Sequence, residues 1–231
     1  MFNLFFKNKF TQNNNLEKLH LGCGLNTPSG WLNVDGSWNA LFAKFRFLRN
    51  FLGKLGIIDQ SKVNINWDHK IFLHDVRKPL PFKDNSFKYI YASHLLEHLY
   101  FEEAMNLLKE CLRVLKPGGI LRVMVPNLQE IIGRYMENKK NSNRLAADIF
   151  VEELGFRNKQ SIKGSFLYRF YFCFKDFHTH KWMYDADSLI YHLEDIGFVD
   201  IKQMEIYQSR IEDIKEIEKN KGLIIEGMKI I

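Results

Sequence analysis

A short apolar run, Lys18–Leu21, passes directly into Gly22-Cys23-Gly24, and a second run, Trp31-Leu-Asn-Val34, ends on Asp35 with only ten residues between Gly24 and Asp35. A glycine pair after a strand lets main chain approach a neighbour or a ligand closely, because no Cβ stands in the way. In open α/β sheets such turns lie at the carboxyl ends of strands, where ligands bind. The ten-residue interval is too short for the helix a parallel crossover normally contains, so the first helix of the fold must be vestigial. It also argues against a nicotinamide dinucleotide site, whose ribose-binding acid falls about 20 residues on.

The rest of the chain repeats the strand–helix alternation. Ile71-Phe-Leu-His-Asp75 reads as a third strand, Lys88-Tyr-Ile-Tyr-Ala92 as a fourth and Ile120-Leu-Arg-Val-Met-Val125 as a fifth, closed by Pro126. Between the last two, Leu95, Leu96, Leu99, Leu107, Leu108, Cys111, Leu112 and Leu115 recur at helical spacing and predict a helix over 95–115. Lys116-Pro-Gly-Gly119 stops it. A second helix is expected at Asp187–Gly197, and further strands at Ile201–Ile206 and Gly222–Ile230. The pattern predicts an α/β fold: a Rossmann-like, mostly parallel sheet with helices on both faces. Residues 1–15 read as a flexible N-terminal arm and 16–231 as one domain, with insertions at about 38–66 and 128–180 that form a helical and aromatic cap. No regular pattern is legible over 127–180.

Bulk properties narrow the setting more than the chemistry. The net charge of +6 permits anionic partners and selects none. Cys23, Cys111 and Cys173 have no paired metal-ligand spacing and read as free thiols in a reducing compartment. With no apolar run of bilayer length and no signal-peptide pattern at the start, a cytoplasmic location is expected. The basic stretches lack an RRM or KH signature, so nucleic acid is not an expected partner.

Three further residues fall at successive strand ends. Asp35 is placed where a carboxylate can accept both hydroxyls of a ribose, Asp75 at the height of an adenine amino group, and Ser93-His94 where a reacting centre would lie. Leu19-His-Leu-Gly-Cys-Gly24, Gly30-Trp-Leu-Asn-Val-Asp35, Asp75–His98, Leu112–Pro126, His180-Lys-Trp-Met-Tyr-Asp185 and Gly197-Phe198 occur in this order. Together they resemble the small bacterial class I S-adenosyl-L-methionine (SAM)-dependent methyltransferases of the type 11-like subgroup, often found with surface-polysaccharide genes. The resemblance departs in two places: Asn26-Thr-Pro-Ser stands where a third glycine is usual, and only ten residues separate Gly24 from Asp35, a short crossover that also occurs in this subgroup. It implies a seven-stranded sheet whose last strand is antiparallel. By the same resemblance Leu21, Gly22, Cys23 and Gly24 approach the amino-acid part of the cofactor, Asp35 and Gly36 the ribose, Asp75 and Val76 the adenine, and Ala92, Ser93 and His94 the sulfonium side. S-adenosyl-L-homocysteine (SAH) would be the product. The implied acceptor is a small molecule, such as a sugar or surface-glycan intermediate. A lipid-linked metabolite and a SAM-binding subunit that has lost catalysis are the alternatives.

If the acceptor is a hydroxyl, a base helps, and histidine is the matched side chain near neutral pH. His94 is the first candidate; His98, one helical turn on, is the second. The competing readings are that His94 caps the helix or packs under the cofactor, and that Glu97 is a capping partner. His94-Leu-Leu-Glu-His98 also matches the inverted zinc-peptidase motif formally. Such a site needs a third ligand, which nothing in the sequence marks, so no metal is expected. His178, His180 and Tyr184 are candidates for the acceptor pocket or, equally, for loop packing. The basic, aromatic stretch 38–58 reads either as a helix over the core or as a peripheral membrane contact. Phe166–Phe177 reads as a cap core, a pocket wall or a dimer contact.

Overall fold

The computed structural model describes residues 16–37, 40–41, 67–156 and 179–230. The stretches 42–66 and 166–177, His178 and Cys173 lie outside them, and so do the membrane, pocket-wall and dimer readings attached to those segments.

Seven strands form one sheet: β1 Lys18–Leu21, β2 Leu32–Asp35, β3 Phe72–Leu73, β4 Phe87–Ser93, β5 Leu115–Val125, β6 Phe198–Met204 and β7 Leu223–Lys229. Their order is β3-β2-β1-β4-β5-β7-β6. β7 runs antiparallel to both its neighbours, and the remaining pairings are parallel. The expected architecture is therefore present, antiparallel last strand included. From β1 the chain builds outward one way through β2 and β3, then returns to lay β4 on the other side. That reversal opens a crevice between the carboxyl ends of β1 and β4, the general ligand position in such sheets.

The two faces of the sheet differ in chemistry because strand side chains alternate. One face carries Leu19, Leu21, Ile90, Leu121, Val123, Val125 and Ile225. Helices α1 (Phe101–Val114) and α4 (Ala186–Ile196) cover it through Leu107, Leu108, Cys111, Leu189 and Leu193. Each fully buried leucine contributes roughly 1.5–3 kcal/mol of transfer free energy. On the other face the registers align Asn33, His20, Tyr91, Arg122 and Glu226 in one row across five strands. A smaller apolar cluster on this face takes in Tyr91 as well, with Trp31, Tyr89 and Ile120. It is sealed by Ile211, Ile214 and Ile217 from the segment that holds the short helix α5, Ile214–Ile217.

One expectation needs correction. The stretch 95–115 is not one helix: a 3₁₀ turn spans Leu96–His98, Leu99 and Tyr100 are extended, and α1 starts at Phe101. Leu96 and Leu99 are buried all the same. Apolar spacing of three suits either geometry, which is why the periodicity concealed the break. Within 127–180, where no pattern was legible, α2 (Leu128–Lys140) and α3 (Ala146–Glu153) pack together through Tyr135 and Phe150, whose ring centroids are 4.9 Å apart. Their outer faces are mostly exposed, so they lack a full apolar stripe. No helix among the described residues is long and apolar enough to cross a membrane.

Candidate functional site at the strand ends

Gly22 and Gly24 both occupy the left-handed region, at φ 67° and 53°. Their surroundings differ. A Cβ on Gly22 would sit 3.1 Å from Leu95 Cδ1, so this glycine lets the β1 turn pack against the segment after β4. A Cβ on Gly24 would meet nothing among the described residues within 4 Å. Gly24 thus presents bare main chain to open space at the switch point.

Asp35, 7 % exposed, is held on both oxygens. The Gly24 N–H donates to Oδ2 at 2.9 Å and the Ser37 N–H to Oδ1 at 2.7 Å. A carboxylate oxygen accepts more than one hydrogen bond, so the pinned group keeps capacity for a diol and has its direction set. Gly36 owes its lack of a side chain to the protein itself: a Cβ there would lie 2.5 Å from the His74 carbonyl oxygen. Cys23 is buried, and burial pushes its thiol far above the usual range, so it is an inert wall of the turn. Leu21 is wholly buried and can offer a ligand only main chain.

Asp75 stands two residues past β3, as expected, but its carboxylate is engaged by Arg77. Nε and Nη2 donate at 2.8 Å each and the Arg77 N–H at 3.1 Å. Burial raises the Asp75 pKa, and the bonds from Arg77 outweigh it, leaving the net shift downward. Val76 packs against the main core.

Across the crevice, Ala92 is buried and the Ser93 hydroxyl donates to Met124 Sδ at 3.5 Å. His94 takes a left-handed conformation, φ 50°, uncommon outside glycine. Its N–H is tied to the Met124 carbonyl at 2.9 Å. The ring Nδ1 lies 3.0 Å from Glu97 Oε1, and Glu97 has no exposed surface. That hydrogen bond raises the His94 pKa above its ordinary value, against the opposing effect of burial. The arrangement is a histidine oriented by a buried carboxylate, the geometry of an assisted base.

His98 does not share a face with His94. It closes the 3₁₀ turn and points Nδ1 at the Thr179 carbonyl, 3.3 Å away, with its ring 5.1 Å from that of His180. The helical zinc-peptidase arrangement is therefore not formed. Tyr184 is buried in the main core and bridges Asn127 through its main chain, so of the two readings its side chain takes the packing one. In the sequence Glu97 carries only the signals of a cap or of a motif position. Its role in holding His94 follows from the left-handed turn, which no residue-type signal announces.

Residues 19–123 match the family described as "Methyltransferase domain". An uncharacterised protein of Methanocaldococcus jannaschii is 28 % identical over 134 residues, covering 52 % of this chain and 64 % of that protein. The chain thus spans under two-thirds of that relative's length. Among solved structures, a SAM-dependent methyltransferase from Methanosarcina mazei is 18 % identical, with 92 % of each chain covered and a TM-score of 0.49. One from Thermotoga maritima is 15 % identical, with 92 % of this chain and 82 % of that one covered and a TM-score of 0.43. The matched segment carries the glycine turn, Asp35, Asp75, Ser93 and His94. The open side of Gly24 beside the oriented Asp35 suits a nucleoside ligand.

Proposed function

We propose that the chain transfers the methyl group of S-adenosyl-L-methionine to a hydroxyl of a small-molecule acceptor, of the sugar or surface-glycan class. The observation that carries this reading is the Gly24 N–H bond to Asp35 Oδ2 beside the unfilled side of Gly24. When bound, the cofactor supplies a methyl carbon made electrophilic by a positively charged sulfur. The protein then contributes mainly position, which can supply several kcal/mol. Main chain at Gly22 and Gly24 borders the amino-acid end, Asp35 holds the ribose, and Ala92 and Ser93 line the side of the reacting carbon. His94, held by Glu97, accepts the proton of the acceptor hydroxyl. An oxygen acceptor is favoured because its proton must leave as the new bond forms, and an oriented histidine is present for it. The sugar class rests on the resemblance to polysaccharide-associated methyltransferases.

Calorimetric titration of the full chain with SAH tests the reading. Wild-type protein is expected to bind one equivalent, and Asp35→Ala to weaken binding at least about tenfold, roughly 1.4 kcal/mol. A folded wild-type chain that binds no SAH would overturn it.

A further inference from the structure

Glu97, His98 and His180 converge from segments more than 80 residues apart. One ligand atom from each lies within 4.8 Å of the other two. Two ligands sharing an ion at about 2.1 Å stand at most roughly 4.2 Å apart, so side-chain shifts of under about an ångström complete the set.

Three observations separate this group from a chance cluster. First, Glu97 Oε2 is buried with no hydrogen-bond partner among the described residues, while Oε1 faces His94. A buried carboxylate oxygen without a partner is costly. Second, both rings turn Nδ1 to a main-chain carbonyl, His98 to Thr179 and His180 to Leu154 at 2.8 Å. A neutral ring that gives its Nδ1 proton away carries a lone pair on Nε2, and metal-binding histidines are oriented in this manner. Third, the main chain holds the pieces together. The Lys181 N–H donates to the Glu97 carbonyl at 2.6 Å and the His180 N–H to Gly155 at 2.9 Å. A Cβ at Gly155 would lie 2.4 Å from His180 Nδ1, so that position must be glycine for the ring to seat.

We propose that Glu97, His98 and His180 bind a divalent transition-metal cation beside His94, and that this cation holds the acceptor. Two imidazoles and a carboxylate suit Mn²⁺, Fe²⁺ or Zn²⁺, and three protein ligands leave coordination positions open, as catalytic sites do. An acceptor with a hydroxyl next to a second oxygen would chelate there. The cation polarises that hydroxyl, and its proton passes to His94. The oxygen–carbon bond forms as the carbon–sulfur bond breaks, with its electron pair going to sulfur. The binding site stands on its own geometry; its use in methyl transfer rests on the function proposed above.

The test uses the full chain, stripped with a chelator, dialysed, and titrated with Co²⁺ under visible absorption and with SAH by calorimetry. One Co²⁺ per chain with ligand-field bands is expected. His98→Gln and His180→Gln should each weaken it at least about tenfold, while His192→Gln, whose ring packs on Phe101 outside the ligand set, should not. Wild-type protein that binds SAH but no Co²⁺ overturns the site and leaves the methyltransferase reading standing. Co²⁺ bound equally by the two ligand variants overturns it as well. Protein that binds Co²⁺ at these histidines but no SAH keeps the site and removes its role in methyl transfer.

Discussion

Arg122 donates from Nε and Nη2 to the two carboxylate oxygens of Glu218, at 2.9 Å each, with neither side chain exposed. Its Nη1 also bonds Glu226 at 2.8 Å, and Arg210 reaches Glu226 from the other side. The network fastens the 205–218 segment onto the polar face of the sheet. Charges this deep are tolerated because each is paired and hydrogen-bonded; removal of one partner leaves the other uncompensated. Arg122→Met is therefore expected to lose about 3–5 kcal/mol in urea unfolding. Arg122→Lys should recover only part of this, because an ammonium cannot make the two-pronged contact. A methionine variant within about 1 kcal/mol of the parent would show that the network contributes little.

His20 lies in the same row, its Nδ1 3.2 Å from Asn33 Oδ1 and its ring against Trp31 and Tyr91. Burial lowers its pKa from 6.5 to about 4. Above pH 6.5 the ring is neutral in both folded and unfolded chains. Between 6.5 and about 4 the unfolded chain takes up a proton that the folded one refuses, so stability falls as the pH falls. The total is about 3 kcal/mol. Denaturation at pH 7.5 and pH 4.5 should show a smaller acid loss in His20→Leu than in the parent. Equal losses would show that His20 is not the group responsible.

Gly24 and Gly36 make a discriminating pair. Gly24→Ala sends a methyl into open space, and its left-handed φ costs about 1–2 kcal/mol. SAH affinity should drop by about tenfold or more, beyond what that strain explains. Gly36→Ala drives a carbon into the His74 carbonyl and should cost about 1–3 kcal/mol in stability. Melting temperature and SAH affinity measured on both variants check the contrast. Full SAH affinity in Gly24→Ala would place the cofactor elsewhere.

His94→Ala separates binding from chemistry. With an acceptor that the wild type methylates, kcat is expected to fall about 10²- to 10⁴-fold. SAH affinity should change far less, since His94 lies on the acceptor side of the crevice. Unchanged turnover would exclude His94 as the base.

Much of this architecture is legible along the chain. The strands around Leu19, Ile90 and Val123, the glycine turn, and the acids at Asp35 and Asp75 are properties of neighbouring residues: apolar runs, absent side chains, carboxylates at run ends. Periodicity was misleading at 95–100, where buried Leu96 and Leu99 satisfy a 3₁₀ turn as well as an α-helix. It was uninformative over α2 and α3, whose exposed faces carry little apolar pattern.

What the sequence by itself determined is the sheet and the crevice at its strand ends, because short-range patterning decides which residues form strands and where those strands end. The tertiary structure alone decided which distant groups meet: Arg122 with Glu218, His20 within a polar row, Glu97 behind His94, and His98 beside His180. Those meetings depend on strand register and on one left-handed residue, and a change in either moves a side chain to another face. The Gly24–Asp35 bond belongs to both levels. The residues announce the pair, and only the fold turns the Gly24 N–H onto the carboxylate.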